Sequence, residues 1–425
     1  MSSLTPSPSS LQRLSVITYN MLAPPWATPK TYPWCDPAHL QWDYRRKLLR
    51  SQLLDWCSPC PSASAASTTA ASFPGCSSSG SSPPSACAKL PSAQNRTPAD
   101  LLLLQEVLLD SFEEDFVPTL EQLGFDYVLQ TEKRGKTKRG VGLAICFRSS
   151  LLRLRYHHSR SRTMFAVLSP VSSPPSDVSA HASHPSAELA ATDRADGDDD
   201  DHAQPPEQTL NADGDDDDDA QPPTETMTAT ATATEEDLFV CNVHLDGAPE
   251  LVDVRFQQTK SLLQRLLAYQ QEQGVSPGRS RLVFGGDFNS DHHSSVYRLL
   301  SEGRMDAGTT ELGRVVTKSE FVHPFQFASA QATAFGREPE FTFVLGEWRS
   351  TIDFVLFHRP VLQCVSASPL LHTSSYSLKR RALLEKALPS AELPSDHLPL
   401  RCTLAVQVLS SASAASSSPR NGVAR

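Results

Sequence analysis

A membrane-spanning helix requires roughly 18 consecutive apolar residues, and no stretch of this 425-residue chain approaches that length. Residues 1–10 are rich in Ser and Pro and lack an apolar centre, and only Arg13 is near, so neither a secretory signal nor a transit peptide is expected. A disulfide framework is missing too. The nine cysteines are odd in number and scattered, with Cys146, Cys241 and Cys402 inside apolar runs. That pattern fits the reduced thiols of a cytoplasmic or nuclear protein. Cys57-Ser-Pro-Cys60, with Cys76 and Cys87 further on, has a spacing zinc can use, but its Ser/Pro/Ala surroundings are poorly suited to ordering a site. Apolar residues reach only 39%, below the usual globular share, so part of the chain is not expected to pack.

What is there is unevenly distributed. Residues 170–237 hold 19 acidic residues and one basic residue, Arg194, a net of −18 inside a chain whose total is −10. The remainder therefore carries 37 Lys/Arg against 29 Asp/Glu, or +8. A basic body favours anionic partners such as nucleic acid or phosphorylated small molecules. Two low-complexity segments, at about 58–98 and 169–236, interrupt it. The second contains a tandem repeat, Ala195-Asp-Gly-Asp-Asp-Asp-Asp and Ala212-Asp-Gly-Asp-Asp-Asp-Asp. Both segments lack the apolar residues that offset ordering entropy and read as disordered insertions. The aspartate runs lack the spaced ligands of an EF-hand loop and read as a solvated stretch. Residues 1–10 and 409–425 read as disordered ends.

The expected ordered domain is 11–408, less the insertions. Short β-type runs recur at 15–19, 101–104, 141–147, 238–243, 281–284, 352–357 and 399–406. Helical periodicity marks 44–56, 294–300 and 254–271, the last with Leu262, Leu263, Leu266 and Leu267 on one face. Strands mixed with helices indicate a layered α/β arrangement.

One pattern repeats: an apolar run ends and polar residues follow at once. Tyr19-Asn20 follows Val16-Ile17, and Gln105-Glu106 follows four leucines. Asn242 and His244 follow Phe239-Val240, and Gly286-Asp287-Phe288-Asn289 follows Leu282-Val283-Phe284. Asp353 comes directly after Ile352, and Asp396-His397 precedes Leu398. Strand ends are where polar groups can converge over a rigid scaffold. Carboxylates and an amide can hold magnesium through oxygen, an Asp can activate water, and histidines can meet charge on phosphate oxygens. A lone His or Asp at a strand end is more often structural; the joint order is what points to phosphate-ester cleavage.

That ordered set resembles the endonuclease/exonuclease/phosphatase (DNase I-like) superfamily, nearest to its carbon-catabolite-repressor-type deadenylase and nocturnin branch. The stretches that carry the likeness are Val16-Ile-Thr-Tyr-Asn-Met-Leu-Ala23, Trp42-Asp-Tyr-Arg-Arg-Lys47, Leu104-Gln-Glu-Val107, Asn242-Val-His-Leu245, Gly286-Asp-Phe-Asn-Ser290, Ile352-Asp-Phe-Val355 and Leu393-Pro-Ser-Asp-His-Leu-Pro-Leu400. The resemblance implies an α+β fold, a four-layer α/β/β/α sandwich. It implies Glu106 as the main Mg2+ ligand (Mn2+ substituting), helped by Asn20, with Asp396 touching a metal or orienting a neighbour. Asp287 would activate water, and Asn289 would position the water and the phosphate. His244 would contact the phosphate, and Asp353 would hold His397, which stabilises the transition state. Trp348 and Pro249 fall where these relatives stack substrate bases.

The chain also departs from that pattern. Asp291-His292-His293 stands where relatives place a proline after Asn289-Ser290, Arg255-Phe-Gln-Gln-Thr259 fits the deadenylase helix only in part, and no leucine-rich repeat for a deadenylase complex is found. The basic cluster Lys133, Arg134, Lys136, Lys138 and Arg139 reads as a solvated hairpin, with phosphate steering as its alternative. The expected function is a magnesium-dependent phosphodiester hydrolase, foremost a 3′-5′ exoribonuclease acting on RNA. The alternatives are a phosphatase or phosphodiesterase on a small nucleotide, a DNA endonuclease, and a catalytically dead binding protein.

Overall fold

Successive side chains on a strand point to opposite faces. Leu101, Leu102, Leu103 and Leu104 are all buried, so both faces of their strand must be covered. The computed structural model, which describes residues 11–59, 97–130, 140–171, 232–368 and 388–407, shows how. Strands and helices are numbered in chain order.

One six-stranded sheet runs β17 (Leu362–Ala367), β18 (Leu400–Val406), β1 (Arg13–Asn20), β2 (Leu101–Leu108), β4 (Val141–Arg148), β3 (Phe125–Leu129). A second runs β13 (Phe327–Ser329), β16 (Asp353–His358), β8 (Arg281–Asp287), β7 (Leu238–His244), β6 (Thr163–Pro170), β5 (Leu152–Arg160). Within each, one central pair is parallel, β1 with β2 and β7 with β8, and the other pairings are antiparallel. Smaller ladders join β9 (Arg304–Met305) to β12 (Phe321–Val322), β10 (Thr310–Glu311) to β11 (Arg314–Val315), and β14 (Phe343–Leu345) to β15 (Trp348–Ser350).

The sheets pack face to face. Val16, Leu101 and Leu103 of the first meet Leu238, Val240 and Val283 of the second in one core. The alternate residues face outward. Ile17, Leu102 and Leu104 pack with Leu49 and Leu53 of α2 (Trp42–Cys57), and with Phe112 of α3 (Phe112–Asp115) and Leu120 of α4 (Val117–Gln122). Phe239 and Cys241 pack under Leu262 and Leu266 of α5 (Val252–Gln273) and Leu299 of α6 (Ser295–Glu302). The short α1 (Pro37–Leu40) precedes α2, and α7 (Ala330–Phe335) lies beside β13, β16 and β17. This is the four-layer α/β/β/α sandwich.

Each strand and helix read from periodicity is present, most of them longer by one to several residues, while 352–357 is shifted by one to Asp353–His358 and 399–406 loses its first residue in Leu400–Val406. Among the described residues the edges of the second insertion fall inside the expected 169–236. Ser169 and Pro170 still pair with Arg153 and Leu152, and at the far side Ala233 is buried, its N–H donating to Gln273 Oε1 at 3.0 Å. Around the first, the Ala99 N–H donates to the Trp56 carbonyl at 2.9 Å. The interiors of both insertions, both chain ends, the basic cluster at 133–139 and Cys60, Cys76 and Cys87 lie outside the described residues.

Two features bring the sheets close at the site end. A Cβ on Gly285 would stand 2.8 Å from Leu103 Cδ1, so the glycine admits a leucine from the opposite sheet. Gln105 Nε2 donates across the interface to Asn242 Oδ1 at 2.7 Å, while Asn242 Nδ2 donates to the carbonyls of Leu104 (3.0 Å) and Ala144 (2.9 Å). Asn242 is thus a buried inter-sheet brace, not a member of the site's surface.

Gly286 has φ +139°, and a Cβ there would lie 2.1 Å from the Val243 carbonyl oxygen. Backbone of the neighbouring strand cannot yield as a flexible side chain would. Gly286→Ala is therefore expected to cost about 3 kcal/mol or more. Urea denaturation checks this; a loss below about 1 kcal/mol would contradict it.

Candidate active site

The topology sends seven polar side chains to one end of the sandwich. β1 ends at Asn20, and β7 and β8 end at His244 and Asp287, which are register partners. β16 runs the other way, so its first residue, Asp353, also lies opposite Asp287. Glu106 sits at a bulge in β2, where the register shifts between Gln105 and Val107, and bulges re-aim side chains. Its φ is +55°, and that of Asn289 is +45°. Such left-handed backbone costs on the order of 1 kcal/mol or more and gathers at functional sites. Residues 395–397 arrive from the loop before β18, anchored by Ser395 Oγ donating to the Asn20 carbonyl at 2.7 Å.

Asn20 Nδ2 donates to Glu106 Oε1 (3.0 Å) and to Asp287 Oδ2 (3.1 Å), and its Oδ1 accepts the Leu22 N–H at 2.9 Å. In this arrangement Asn20 holds two carboxylates and spends its oxygen on the backbone. Glu106 Oε2 accepts the Ala23 N–H at 2.7 Å. The Asn289 N–H donates to Asp287 Oδ1 at 2.9 Å, and Asn289 Nδ2 donates to the Leu245 carbonyl at 2.9 Å. His244 Nε2 lies 3.7 Å from both Glu106 Oε1 and Asp287 Oδ2.

His397 is the most committed of the histidines. Its Nδ1 is 2.9 Å from Asp353 Oδ2 and its Nε2 is 3.6 Å from Asp287 Oδ2. Asp353 is itself set by its backbone N–H donating to Thr342 Oγ1 at 3.1 Å. Burial alone would depress the imidazole, but Asp353 and Asp287 together raise its pKa well above 6.5. Burial pushes Asp287 up to about 7, with Asp353 adding and His397 opposing. His244 goes the opposite way, down to about 3, through burial first and then Arg162 and His397, so it stays neutral.

Asp396 turns aside, accepting the Tyr32 hydroxyl at Oδ2 (2.7 Å). Tyr32 and Arg45 are the supporting residues that strand-end reasoning passed over. Arg45 is fully buried and donates to the carbonyls of Pro394 (2.7 Å), Met21 (2.8 Å) and Leu22, which pins the two loops carrying the site. Its only sequence signal was its place in the Trp42-Asp-Tyr-Arg-Arg-Lys47 stretch.

Trp348 is 55% exposed at the β14–β15 hairpin. Phe343 links it to the centre, with ring centroids 5.4 Å from Trp348 and 4.8 Å from His397. Pro249 is exposed on the loop after β7, its carbonyl accepting from Arg255 Nη2 at 3.1 Å.

The donors fit a hard divalent cation: carboxylates and imidazoles, with no thiolate among them. Glu106 is largely buried and bonded only to amide N–H groups, and burial, then Asp396, raise its pKa. A cation there would relieve that. Asp287, Asp353 and His397 also lie close enough to share an ion. However, His397 Nδ1 is already taken by Asp353, which makes that trio a hydrogen-bonded relay and leaves Glu106 as the better anchor. Asp353 Oδ1 has no hydrogen-bond partner among the described residues.

The sequence profile of the Endonuclease/Exonuclease/phosphatase family matches residues 17–397, and the chain belongs to that family. Its fold and class are those of enzymes that hydrolyse phosphoester bonds. It is similar to the CCR4-Not complex 3′-5′-exoribonuclease subunit Ccr4 of Candida albicans, 23% identical over 408 residues, covering 92% of this chain and 41% of that protein. It is also similar to the 2′,5′-phosphodiesterase 12 of Mus musculus, 22% identical over 399 residues, covering 92% and 51%. The chain thus spans about half or less of the length of these relatives. The crystal structure of ANGEL2, a 2′,3′-cyclic phosphatase, in complex with adenosine-2′,3′-vanadate has the same fold, with a TM-score of 0.59, 17% identity and coverage of 94% of this chain and 98% of that one.

The Asp353–His397 pair has a direct signature. In the metal-free chain the His397 imidazole is expected to titrate well above 6.5 in 15N NMR. In Asp353→Asn, where burial meets less opposition, its pKa should fall below the wild-type value. Titration near 6.5 in both proteins would contradict the geometry.

Proposed function

We propose that this chain is a magnesium-dependent phosphodiester hydrolase that removes nucleotides from the 3′ ends of RNA. One observation carries it: Asn20, Glu106, His244, Asp287, Asn289 and the Asp353–His397 pair converge at one end of the two sheets. Glu106 would hold Mg2+, with Mn2+ able to substitute, and the bound ion supplies positive charge to the developing phosphate charge and acidifies water. Asp287, oriented by the Asn289 N–H and the Asn20 amide, takes the proton of the attacking water. His397, its Nδ1–H donated to Asp353, presents Nε2–H to the charge on the phosphate. His244, neutral, contacts another phosphate oxygen, and Asn289 positions the water. Trp348 and Pro249, exposed at the rim, provide faces for bases, where stacking contributes roughly 1–3 kcal/mol per base.

The Ccr4 relatives support RNA and 3′-5′ polarity. The 2′,5′-phosphodiesterase relative favours a second reading, a small nucleotide substrate with a 2′,5′ linkage. A substrate panel separates the two. With Mg2+, 5′-labelled oligo(A) and mixed RNA are expected to shorten stepwise from the 3′ end, and chelation should abolish this. Asp287→Ala and His397→Ala should each lose a hundredfold to a thousandfold or more, by analogy with removing one transition-state donor, with thermal unfolding little changed. Cleavage of 2′,5′-linked oligo(A) alone would replace the first reading by the second. Internal cuts in abasic DNA, or full activity in either variant, would overturn it.

A further inference from the structure

Glu106, Asp287, Asp353 and Asp396 crowd the site, and a nucleic-acid substrate brings further negative charge. Arg45 cannot meet it, because it is fully buried and its Nε and Nη2 donate to backbone carbonyls. The second sheet offers another cation. Its strand ends form a row: Asp353 opens β16, Asp287 closes β8, His244 closes β7, and Arg162 stands in the turn between β5 and β6. Val243 is the register partner of Thr163, and the His244 N–H donates to the Arg162 carbonyl at 3.0 Å. Strands are spaced about 4.8 Å apart, so the Arg162 backbone lies one step beyond His244 and roughly 10 Å from Asp287.

The Arg162 side chain is 39% exposed, and its Nη2 stands 3.7 Å from Asp246 Oδ2. A close charge-assisted hydrogen bond is about 2.7–2.9 Å, so the tether is loose, and an exposed pair of this kind contributes little. Asp246 is the fixed partner. Its N–H donates to Gln258 Oε1, its Oδ1 accepts the Ala248 N–H, and its carbonyl accepts from Arg255. More positive charge lies under the same turn. Arg265 Nη2 donates to Thr163 Oγ1 at 2.7 Å, its Nη1 meets His158 Nδ1 at 2.7 Å, and Arg160 is two residues away.

We propose that Arg162 binds the phosphate next to the scissile one, and that Asp246 parks its guanidinium until a substrate with consecutive phosphates takes it over. This rests on the phosphodiester-hydrolase reading and narrows its substrate to chains of at least two phosphates.

The test uses the full chain, oligo(A) as a substrate with consecutive phosphates, and bis(p-nitrophenyl) phosphate as one with a single phosphodiester. Arg162→Ala is expected to raise KM for oligo(A) about tenfold, with kcat and turnover of the small diester unchanged. Arg162→Lys should recover part of the loss. Asp246→Asn, which keeps the acceptor for Ala248, should lower KM for oligo(A). Equal losses on both substrates, or an Asp246→Asn that raises KM as Arg162→Ala does, would make the pair a structural bridge and overturn the proposal. Binding gives a readout independent of turnover. In an Asp287→Asn background, Arg162→Ala should reduce the salt slope of oligo(A) binding by about 0.7, one single-strand phosphate contact, and an unchanged slope overturns the assignment. A wild-type chain that cleaves neither substrate refutes the hydrolase reading, while the slope still decides Arg162; no binding at all refutes both.

Discussion

The site depends on one side chain. Asn20 divides its amide nitrogen between Glu106, on its own sheet, and Asp287, on the other. Its backbone carbonyl accepts from Ser395, which brings Asp396 and His397 alongside. Three segments far apart in sequence are referenced to each other through a single residue at the end of β1. A buried amide that satisfied fewer partners would cost free energy instead of organising the site.

This arrangement packs carboxylates where burial disfavours their charge. Glu106 and Asp287 are both pushed up, and His397 offsets only part of that charge because it is paired to Asp353. An oxygen-seeking cation is the natural complement. One layer deeper, Gln105 and Asn242 bridge the sheets with neutral groups, which set sheet spacing without adding charge. Gly285 serves the same end through sterics, leaving out a Cβ that Leu103 of the opposing sheet would strike, while Gly286 admits the Val243 backbone of the neighbouring strand in its own sheet.

Much of this was legible because the fold buries both faces of its central strands. Continuous apolar runs marked β1, β2, β7 and β8, and the polar residues that ended them supplied the site residues Asn20, Glu106, His244 and Asp287 as well as the brace of Gln105 and Asn242. The periodic leucines of α5 marked the outer layer. Where burial does not write a pattern, reading failed. β5, Leu-Arg-Leu-Arg-Tyr-His-His-Ser-Arg, is an edge strand with partly exposed faces and a bulge between Leu154 and Tyr156, so its alternation covers only Leu152 to Tyr156 and stops at the two histidines. Asn242 and Asn20 look alike in sequence, each a polar residue at a strand end. Only the neighbouring sheet tells the brace from the organiser. Arg45 and Tyr32 act on loops distant in sequence, and no local spacing reports such contacts. Arg162 was silent because its meaning comes from a neighbouring strand, one place along the row from His244.

The central claim is that this buried carboxylate end is a divalent-cation centre anchored on Glu106. Calorimetric titration of Mg2+ into the wild-type chain and into Glu106→Gln tests it most directly. The glutamine keeps the shape and can still accept the Ala23 N–H. The account predicts one Mg2+ site in the wild type and at least about tenfold weaker binding, about 1.4 kcal/mol, in the variant at unchanged thermal stability. Equal Mg2+ affinity in the two proteins would contradict it.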